Sequence, residues 1–240
     1  MLPVAILAGG LATRLRPLTT QRPKALIDVN GEPFLVHQLR LLRKNGIERV
    51  VMCVGHLGEM IQQAIGDGSR FGLSVDYAHD GPQLGGTAGA VRRALPLLGE
   101  AFFILYGDSY LTCDYQAVEQ AFRRAGTLAL MTVFRNENRW GTSNVEFLDG
   151  RILAYDKDGP TPAMQHIDYG LGVSRASAFA TVPEQGAYDL AVLYQQLLRR
   201  GELAGLQIQE RFYEVGSPRG LRETEGFLSR QGGAQEWRSA

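Results

Sequence analysis

The chain has 240 residues, 45% of them hydrophobic, and its 25 basic side chains balance 25 acidic ones. That length and apolar fraction suit one large α/β domain or two small ones and exclude a disordered chain. A net charge of zero disfavours nucleic acid as a partner, although a local cluster of cations can still bind a small anion.

The two cysteines, Cys53 and Cys113, form no cluster with metal-site spacing and indicate no disulfide framework. The apolar stretch at residues 1–8 is too short to cross a membrane and has no basic leader. We therefore expect a cytoplasmic protein that has no membrane partner. The sequence leaves the formation of a homo-oligomer open.

Short apolar runs alternate with helical patterns along the first half of the chain. The predicted strands are residues 4–8, 49–54, 73–78, 102–106 and 128–134, and the predicted helices are residues 33–44, 58–65, 87–98 and 115–124. This alternation predicts a mostly parallel sheet with helices on both faces. Ligands of such sheets bind beyond the carboxyl ends of the strands, so the segments that follow the strands are the candidate functional sites.

The second half changes character. Residues 144–148 and 152–156 flank Asp149-Gly150, which is a strong hairpin signal. Further strands are predicted at 169–174, 203–207 and 212–215, and further helices at 190–199 and 218–229. Together the elements predict an α/β fold, a single domain over residues 1–230 with one Rossmann-like mixed sheet. The polar, glycine-rich residues 231–240 are expected to form a flexible tail.

The most informative segment, residues 7–18, follows the first predicted strand directly. Its consecutive glycines, Gly9 and Gly10, let the backbone approach a ligand and offer N–H groups to phosphate oxygens. Side chains that can donate to phosphate follow at Thr13, Arg14 and Lys24. The segment is neither a Walker loop nor a dinucleotide fingerprint, because no Gly-Lys-Ser/Thr follows and the third glycine is missing. A plain glycine turn with solvated basic residues is the alternative interpretation.

In order, Leu7-Ala8-Gly9-Gly10-x-x-Thr13-Arg14-Leu15 and then Pro23-Lys24 resemble the signature of sugar-phosphate nucleotidyltransferases. This family has a glycosyltransferase-A-like α/β fold, and the resemblance covers nearly the whole chain. It implies that the loop wraps a triphosphate and that two cations, Arg14 and Lys24, act in catalysis. It also implies nucleotide binding at Leu7, Gly9, Gly10 and Thr13. The chain departs from the family at Ala12, where a third glycine is usual.

A second glycine-rich segment, residues 83–90, lies between the third predicted strand and a helix. Small residues at a helix start leave N–H groups free to meet a ligand. Thr87 could instead be an ordinary helix cap. The segment resembles the family's Leu-Gly-Thr-Ala-Gly-Ala motif, which implies that Gly86 and Thr87 lie near the nucleotide and Gln83 near the base.

Asp108 follows the apolar strand at residues 102–106, after Gly107. A carboxylate at the carboxyl end of a strand suits a hard cation, although a turn aspartate is a common alternative. The resemblance implies that Asp108 binds Mg²⁺ and is catalytic. The family's second ligand is an aspartate in Asp-x-Gly-Thr/Ser-Pro, and Glu214 replaces it here. The added methylene moves the carboxylate by about 1.5 Å, a shift that matters for octahedral Mg²⁺.

Three segments of the second half resemble the part of the family that faces the sugar phosphate. The Arg-Trp-Gly-Thr stretch from residue 139 implies sugar contacts by Trp140 and Gly141. Asp156-Lys157 stands where the family has Glu-Lys, which implies that Lys157 contacts the 1-phosphate. Residues 167–172 resemble an Asn-Ala-Gly strand and imply that Asp168 and Gly170 line the sugar pocket.

These resemblances imply a nucleotide-binding half at about residues 1–135 and a sugar-phosphate half at about 136–230. The implied reaction joins a nucleoside triphosphate to a sugar 1-phosphate, with Mg²⁺ as cofactor. Residues 30–35 and 139–145 resemble the heptose 1-phosphate guanylyltransferase type. Uridylyl- or thymidylyltransferases of hexose 1-phosphates and cytidylyltransferases of non-sugar phosphates remain alternatives. So does a non-catalytic homologue that binds nucleotide sugars. A glycosyltransferase ranks low because it predicts an Asp-x-Asp motif, and the corresponding strand end has Gly107-Asp108-Ser109-Tyr110 instead.

Overall fold

The computed structural model describes residues 1–10, 15, 19–81 and 85–231 of the chain. Within these residues the strands are β1 (Val4–Leu7), β2 (Asp28–Val29), β3 (Glu32–Pro33), β4 (Arg49–Val54), β5 (Ser74–His79), β6 (Ala101–Tyr106), β7 (Ser109–Leu111), β8 (Ala129–Arg135), β9 (Val145–Leu148), β10 (Arg151–Tyr155), β11 (His166–Arg175), β12 (Leu203–Ile208) and β13 (Phe212–Glu214). The helices are α1 (Phe34–Lys44), α2 (Gly58–Ile65), α3 (Gly86–Leu98), α4 (Tyr115–Ala125), α5 (Leu190–Arg199) and α6 (Pro218–Arg230).

A nine-stranded mixed sheet runs through both halves of the chain. Its order is β10-β9-β11-β6-β1-β4-β5, and β8 pairs with both β11 and β12. β6, β1, β4 and β5 are parallel, as are β8 and β12, whereas β11 is antiparallel to β6 and β8. The predicted fold class, an α/β fold with a mixed sheet, is confirmed.

Alternate side chains of the central strands enter two hydrophobic cores, one on each face of the sheet. On β1, Val4 and Ile6 join the core that is covered by α1, α2 and α4. Ala5, between them, joins the core that is covered by α3 and α5. Because both faces are buried, β1 and its neighbours are near-continuous apolar runs, as parallel strands between helical layers require.

The predicted elements match the structure apart from shifts of one to three residues at their ends. The largest shift is at β11, which begins at His166 and was predicted from residue 169. A register shift lies between Asp168 and Gly172, so the strand is irregular where it passes the candidate site. This irregularity breaks the simple alternation of apolar side chains that a sequence pattern detects.

A small antiparallel ribbon, which the sequence did not predict, joins β7 to β13 and places Glu214 opposite Ser109. A third core of Val29, Phe34, Tyr110, Val215 and Leu228 holds this ribbon and α6 together. Among the described helices, none is long and apolar enough to cross a membrane. The tail predicted at residues 231–240 lies outside the described residues except for Gln231.

Candidate functional site

The first cavity, of about 260 Å³, lies at the carboxyl ends of β1 and β6 and at the start of α3. This is the edge of a parallel sheet at which ligands bind in α/β folds. Its lining includes every predicted nucleotide-binding residue that the structure describes, together with both described residues predicted to be catalytic: Leu7, Gly9, Gly10, Lys24, Gly86, Thr87 and Asp108. The predicted residues Thr13, Arg14 and Gln83 lie outside the described residues.

Close backbone packing shapes this cavity. The Gly107 N–H donates to the Leu7 carbonyl over 3.0 Å, which ties the end of β6 to the end of β1. A Cβ atom on Gly107 would lie 2.6 Å from that carbonyl oxygen, closer than real Cβ atoms approach. Glycine is therefore needed at position 107 for steric reasons, and it delivers Asp108 directly to the cavity.

An ion pair between Lys24 and Asp108 spans the cavity wall. The Lys24 Nζ lies 2.6 Å from Asp108 Oδ2, and each side chain is 22% exposed. Lys24 opens a short 3₁₀ turn directly after Pro23, and Asp108 occupies the turn between β6 and β7. A partly exposed pair of this kind contributes little to stability by itself, so its placement in a cavity favours a role in binding.

The start of α3 forms another wall, and here one alternative interpretation is wrong. Thr87 is not the helix cap, because Gly85 occupies that position and makes no side-chain cap bond. The Thr87 hydroxyl instead accepts the Leu190 N–H over 2.6 Å. Gly86 has φ +68°, and a Cβ atom there would lie 2.7–2.9 Å from the Tyr188 backbone. The turn is therefore packed closely against residues 188–190.

The second cavity, of about 570 Å³, lies beside the first and shares Tyr106 and Asp108 with it. Its walls come from the loop before β9, the end of β10, the irregular part of β11, and the region from β13 to the start of α6. All residues predicted to contact the sugar phosphate line it, as does the second predicted metal ligand: Trp140, Gly141, Lys157, Asp168, Gly170 and Glu214. The structure thus brings together segments that are far apart in sequence.

Asp168 is a half-buried carboxylate of the second cavity. Its Oδ2 accepts the hydroxyl groups of Tyr106 and Tyr155 at 3.5 and 3.4 Å, and its Oδ1 accepts the Gly170 N–H at 3.0 Å. Burial raises the pKa of Asp168, and the nearby positive charge of Lys157 partly opposes that rise. Asp168 can therefore accept hydrogen bonds from a sugar, at an energetic cost for its ionised form.

Lys157 lines the second cavity, near the Tyr106 ring that both cavities share. Its Nζ is 3.6 Å from Asp189 Oδ1 and 5.5 Å from the centroid of the Tyr106 ring. The side chain is 34% exposed, and its one ion pair among the described residues is longer than a hydrogen bond. Its ammonium group can therefore turn to an incoming phosphate.

Glu214, the second predicted metal ligand, points its carboxylate at the start of α6. The carboxylate accepts the Gly216 N–H and the Ser217 hydroxyl. Its strand is tied to the other predicted ligand, because the Val215 N–H donates to the Asp108 carbonyl over 2.9 Å. The described residues contain no cluster of three or more His, Cys, Asp or Glu that could hold a metal. Two carboxylates still fit Mg²⁺, which commonly takes one or two from a protein and its other ligands from phosphates and water.

The sequence reasoning missed four charged residues of the cavities, namely Asp80, Arg211, Arg219 and Glu223. Asp80 lines the first cavity directly after β5, and its carboxylate pairs with Arg93 over 3.0 Å. Burial raises the pKa of Asp80, and the Arg93 charge opposes that rise. Arg211 lines the second cavity, with its guanidinium carbon 4.4 Å from the centroid of the Trp140 ring. The strand-end rule applied to β5 could have found Asp80, whereas no pattern in the sequence marks Arg211.

The chain is similar to known proteins in both sequence and fold. The family model described as Nucleotidyl transferase matches residues 4–147. N-acetylmuramate alpha-1-phosphate uridylyltransferase of Neisseria meningitidis is 29% identical over 230 residues, which are 92% of this chain and 96% of that protein. Mannose-1-phosphate guanyltransferase beta-B of Xenopus laevis is 27% identical over 89% of this chain, but this chain spans only 61% of that protein's length.

One solved structure extends the comparison to the fold. HddC from Yersinia pseudotuberculosis, in complex with GMP-PN, superposes with a TM-score of 0.78 over 95% of this chain and all of that one. The two sequences are 20% identical, so this similarity concerns the fold alone.

Proposed function

The chain belongs to the nucleotidyl transferase family, and on that premise we propose that it joins a nucleoside triphosphate to a sugar 1-phosphate and releases pyrophosphate. One observation carries the proposal: two adjoining cavities meet at Asp108 and Tyr106. The described residues predicted to bind nucleotide line the first cavity, and those predicted to bind the sugar phosphate line the second. Two adjoining cavities of this kind suit a reaction between two phosphate-bearing molecules.

The proposed chemistry needs no nucleophile from the protein. A phosphate oxygen of the sugar 1-phosphate attacks the α-phosphorus of the triphosphate and forms a new P–O bond. The bond between the α-phosphorus and its bridging oxygen to the β-phosphorus breaks, and pyrophosphate leaves with the electron pair. The protein aligns the two anions and offsets their charge.

Residues of both cavities share this work. Lys24 lies where it can contact the triphosphate. Its ion pair with Asp108 holds its ammonium group where the two cavities meet. Lys157 would hold the acceptor phosphate, and Asp168 would accept hydroxyl groups of the sugar. Asp108, with Glu214 as a second ligand, would hold Mg²⁺, which lowers the repulsion between phosphates and stabilises the leaving pyrophosphate.

For the substrates we propose GTP and a heptose 1-phosphate, the pair implied by the resemblance at residues 30–35 and 139–145. The relatives' names include guanylyl transfer to mannose 1-phosphate and uridylyl transfer to N-acetylmuramate 1-phosphate. These acceptors therefore belong in the same test.

The test is a pyrophosphate-release assay with Mg²⁺. It pairs GTP, UTP, dTTP and CTP with the 1-phosphates of heptose, mannose, glucose and N-acetylmuramate, and with phosphocholine as a non-sugar acceptor. We expect release that requires both substrates and is fastest with GTP and heptose 1-phosphate. A different best pair would overturn the substrate assignment only. Tight binding of a nucleotide sugar without any release would overturn the enzymatic proposal in favour of a binding protein.

A further inference from the structure

Residues 188–190 contact residues of both cavities, although they stand in none of the motifs of the family resemblance. Their backbone is fixed to the start of α3. The Tyr188 N–H donates to the Gly85 carbonyl over 2.8 Å, and the Tyr188 carbonyl accepts the Ala88 N–H over 2.9 Å. The Leu190 N–H donates to the Thr87 hydroxyl over 2.6 Å. The wall of the first cavity thus sets where this segment lies.

Asp189, in the middle of that segment, contacts a lysine of the other cavity. Its Oδ1 lies 3.6 Å from the Nζ of Lys157, which lines the second cavity. The same oxygen accepts the Ala191 N–H over 2.7 Å and so caps α5. The carboxylate is therefore held by a helix while it contacts the lysine, as a positioning group requires.

A lysine side chain needs such a partner if its ammonium group is to be held at a fixed position. The ammonium group is a point charge on a flexible four-carbon stem, and it gives no fixed geometry by itself. Asp189 is 52% exposed, so its pair with Lys157 is weak and screened by solvent. A phosphate dianion can therefore replace Asp189 as the partner of the lysine without a large cost in free energy.

We propose that Asp189 is a positioning residue that holds Lys157 towards the acceptor phosphate and ties that position to the nucleotide wall through Tyr188–Leu190. The inference rests on the proposed function, because it gives Lys157 a phosphate to hold. It adds a residue that touches neither substrate. It also explains why the aspartate that caps α5 lies beside Lys157.

The first variant to test is Asp189→Asn. Asparagine caps helices as well as aspartate does, so this variant keeps the cap of α5 and removes the charge next to Lys157. We expect kcat with the sugar 1-phosphate to fall about fivefold to twentyfold, because a mobile lysine aligns the phosphate poorly. KM for the triphosphate should stay within about twofold, and the melting temperature should not change.

Asp114→Asn is the matched control. Asp114 caps α4 by the same kind of bond, to the Ala117 N–H, and lines neither described cavity. It should keep full activity. An equal loss of activity in Asp114→Asn and Asp189→Asn would overturn the inference, since it would indicate a general effect of changing a helix cap.

A double-mutant cycle with Lys157→Gln gives the sharper readout. If Asp189 acts through Lys157, adding Asp189→Asn to Lys157→Gln costs nothing further. Losses that multiply would overturn the inference, as would full activity of Asp189→Asn alone. If the unaltered protein releases no pyrophosphate with any substrate pair, the proposed function falls and the inference falls with it. If the unaltered protein is active but the losses of the two single variants multiply in the double variant, only the inference about Asp189 is overturned.

Discussion

The two cavities that meet at Asp108 are built in different ways. The first is made largely of backbone and small residues at the ends of parallel strands, such as Gly9, Gly10 and Gly107. The second is made of large and charged side chains, including Trp140, Lys157 and Arg211, which come from loops and irregular strands. A backbone cradle suits phosphates, which every nucleotide carries, whereas side chains suit an acceptor that must be told apart from others.

The sharpest test of this comparison is to change Asp108, one of the two residues that line both cavities. Asp108→Ala removes the carboxylate from the place where the two cavities meet. We expect kcat for pyrophosphate release to fall by about 10³-fold or more, because charge compensation is lost at the reacting phosphates. The assay is steady-state pyrophosphate release at saturating substrates. The control is Asp76→Ala, which should keep full activity. Asp76 lies on the edge strand β5 and forms an exposed ion pair with Arg49. Equal activity of the two variants would remove Asp108 from the mechanism.

Two lysines, one in each cavity, test whether the first cavity binds the triphosphate and the second binds the sugar 1-phosphate. We expect Lys24→Gln to lower kcat/KM for the triphosphate by about 10²-fold, because it removes a cation that faces the phosphates. Lys157→Gln should lower kcat/KM for the sugar 1-phosphate by about 10- to 100-fold and leave the Kd of the triphosphate nearly unchanged. Calorimetric titration of the triphosphate separates the two. The comparison fails if both variants weaken triphosphate binding to the same extent.

Backbone packing of the first cavity can be tested through Gly86. Gly86→Ala puts a Cβ atom onto the Tyr188 backbone at a residue with φ +68°, and we expect unfolding free energy to fall by about 1–3 kcal/mol. Gly126→Ala is the control, since Gly126 has φ +69° and a Cβ atom added there would have no described atom within 4 Å. It should cost about 1 kcal/mol or less. Urea unfolding measures both, and equal costs would show that contact with Tyr188 is unimportant.

The smallest expected effect concerns Asp168 in the second cavity. Its pKa is raised in the folded state by burial, so the folded chain keeps this proton to higher pH than the unfolded chain. The stability that Asp168 contributes is therefore intact below its unfolded pKa of about 4 and is lost as the pH rises through the folded value. Relative to Asp168→Asn, the unaltered protein should lose unfolding free energy as the pH rises above about 4. Parallel curves for the two proteins in urea unfolding would contradict this.

Sequence reasoning reached the first cavity more fully than the second for a physical reason. Gly107 and Asp108 directly follow an apolar strand, and the carboxyl ends of parallel strands meet at one edge whatever the remaining topology. The residues of the second cavity were assigned from their resemblance to the family's motifs. The strand at residues 212–215 was predicted, but β7 was not, because a three-residue strand is too short to show a period. The pairing of β7 with β13 was therefore missed.

The same limit explains the charged residues that were missed. Arg211 lines the second cavity because β13 and α6 pack near Trp140, which is a consequence of tertiary structure. Asp189 reads as an ordinary helix cap in sequence, and only the fold reveals Lys157 beside it. Local patterns predicted the strands, helices and glycine turns, whereas contacts between distant segments needed the structure.

The central claim is that one molecule of product fills both cavities across Asp108. The most direct measurement is a crystal structure of the chain with Mg²⁺ and the nucleotide sugar that the release assay identifies. We predict the nucleoside in the first cavity, the diphosphate beside Lys24 and Asp108, and the sugar between Trp140 and Asp168. A nucleotide sugar that lies within one cavity, or away from Asp108, would contradict the account.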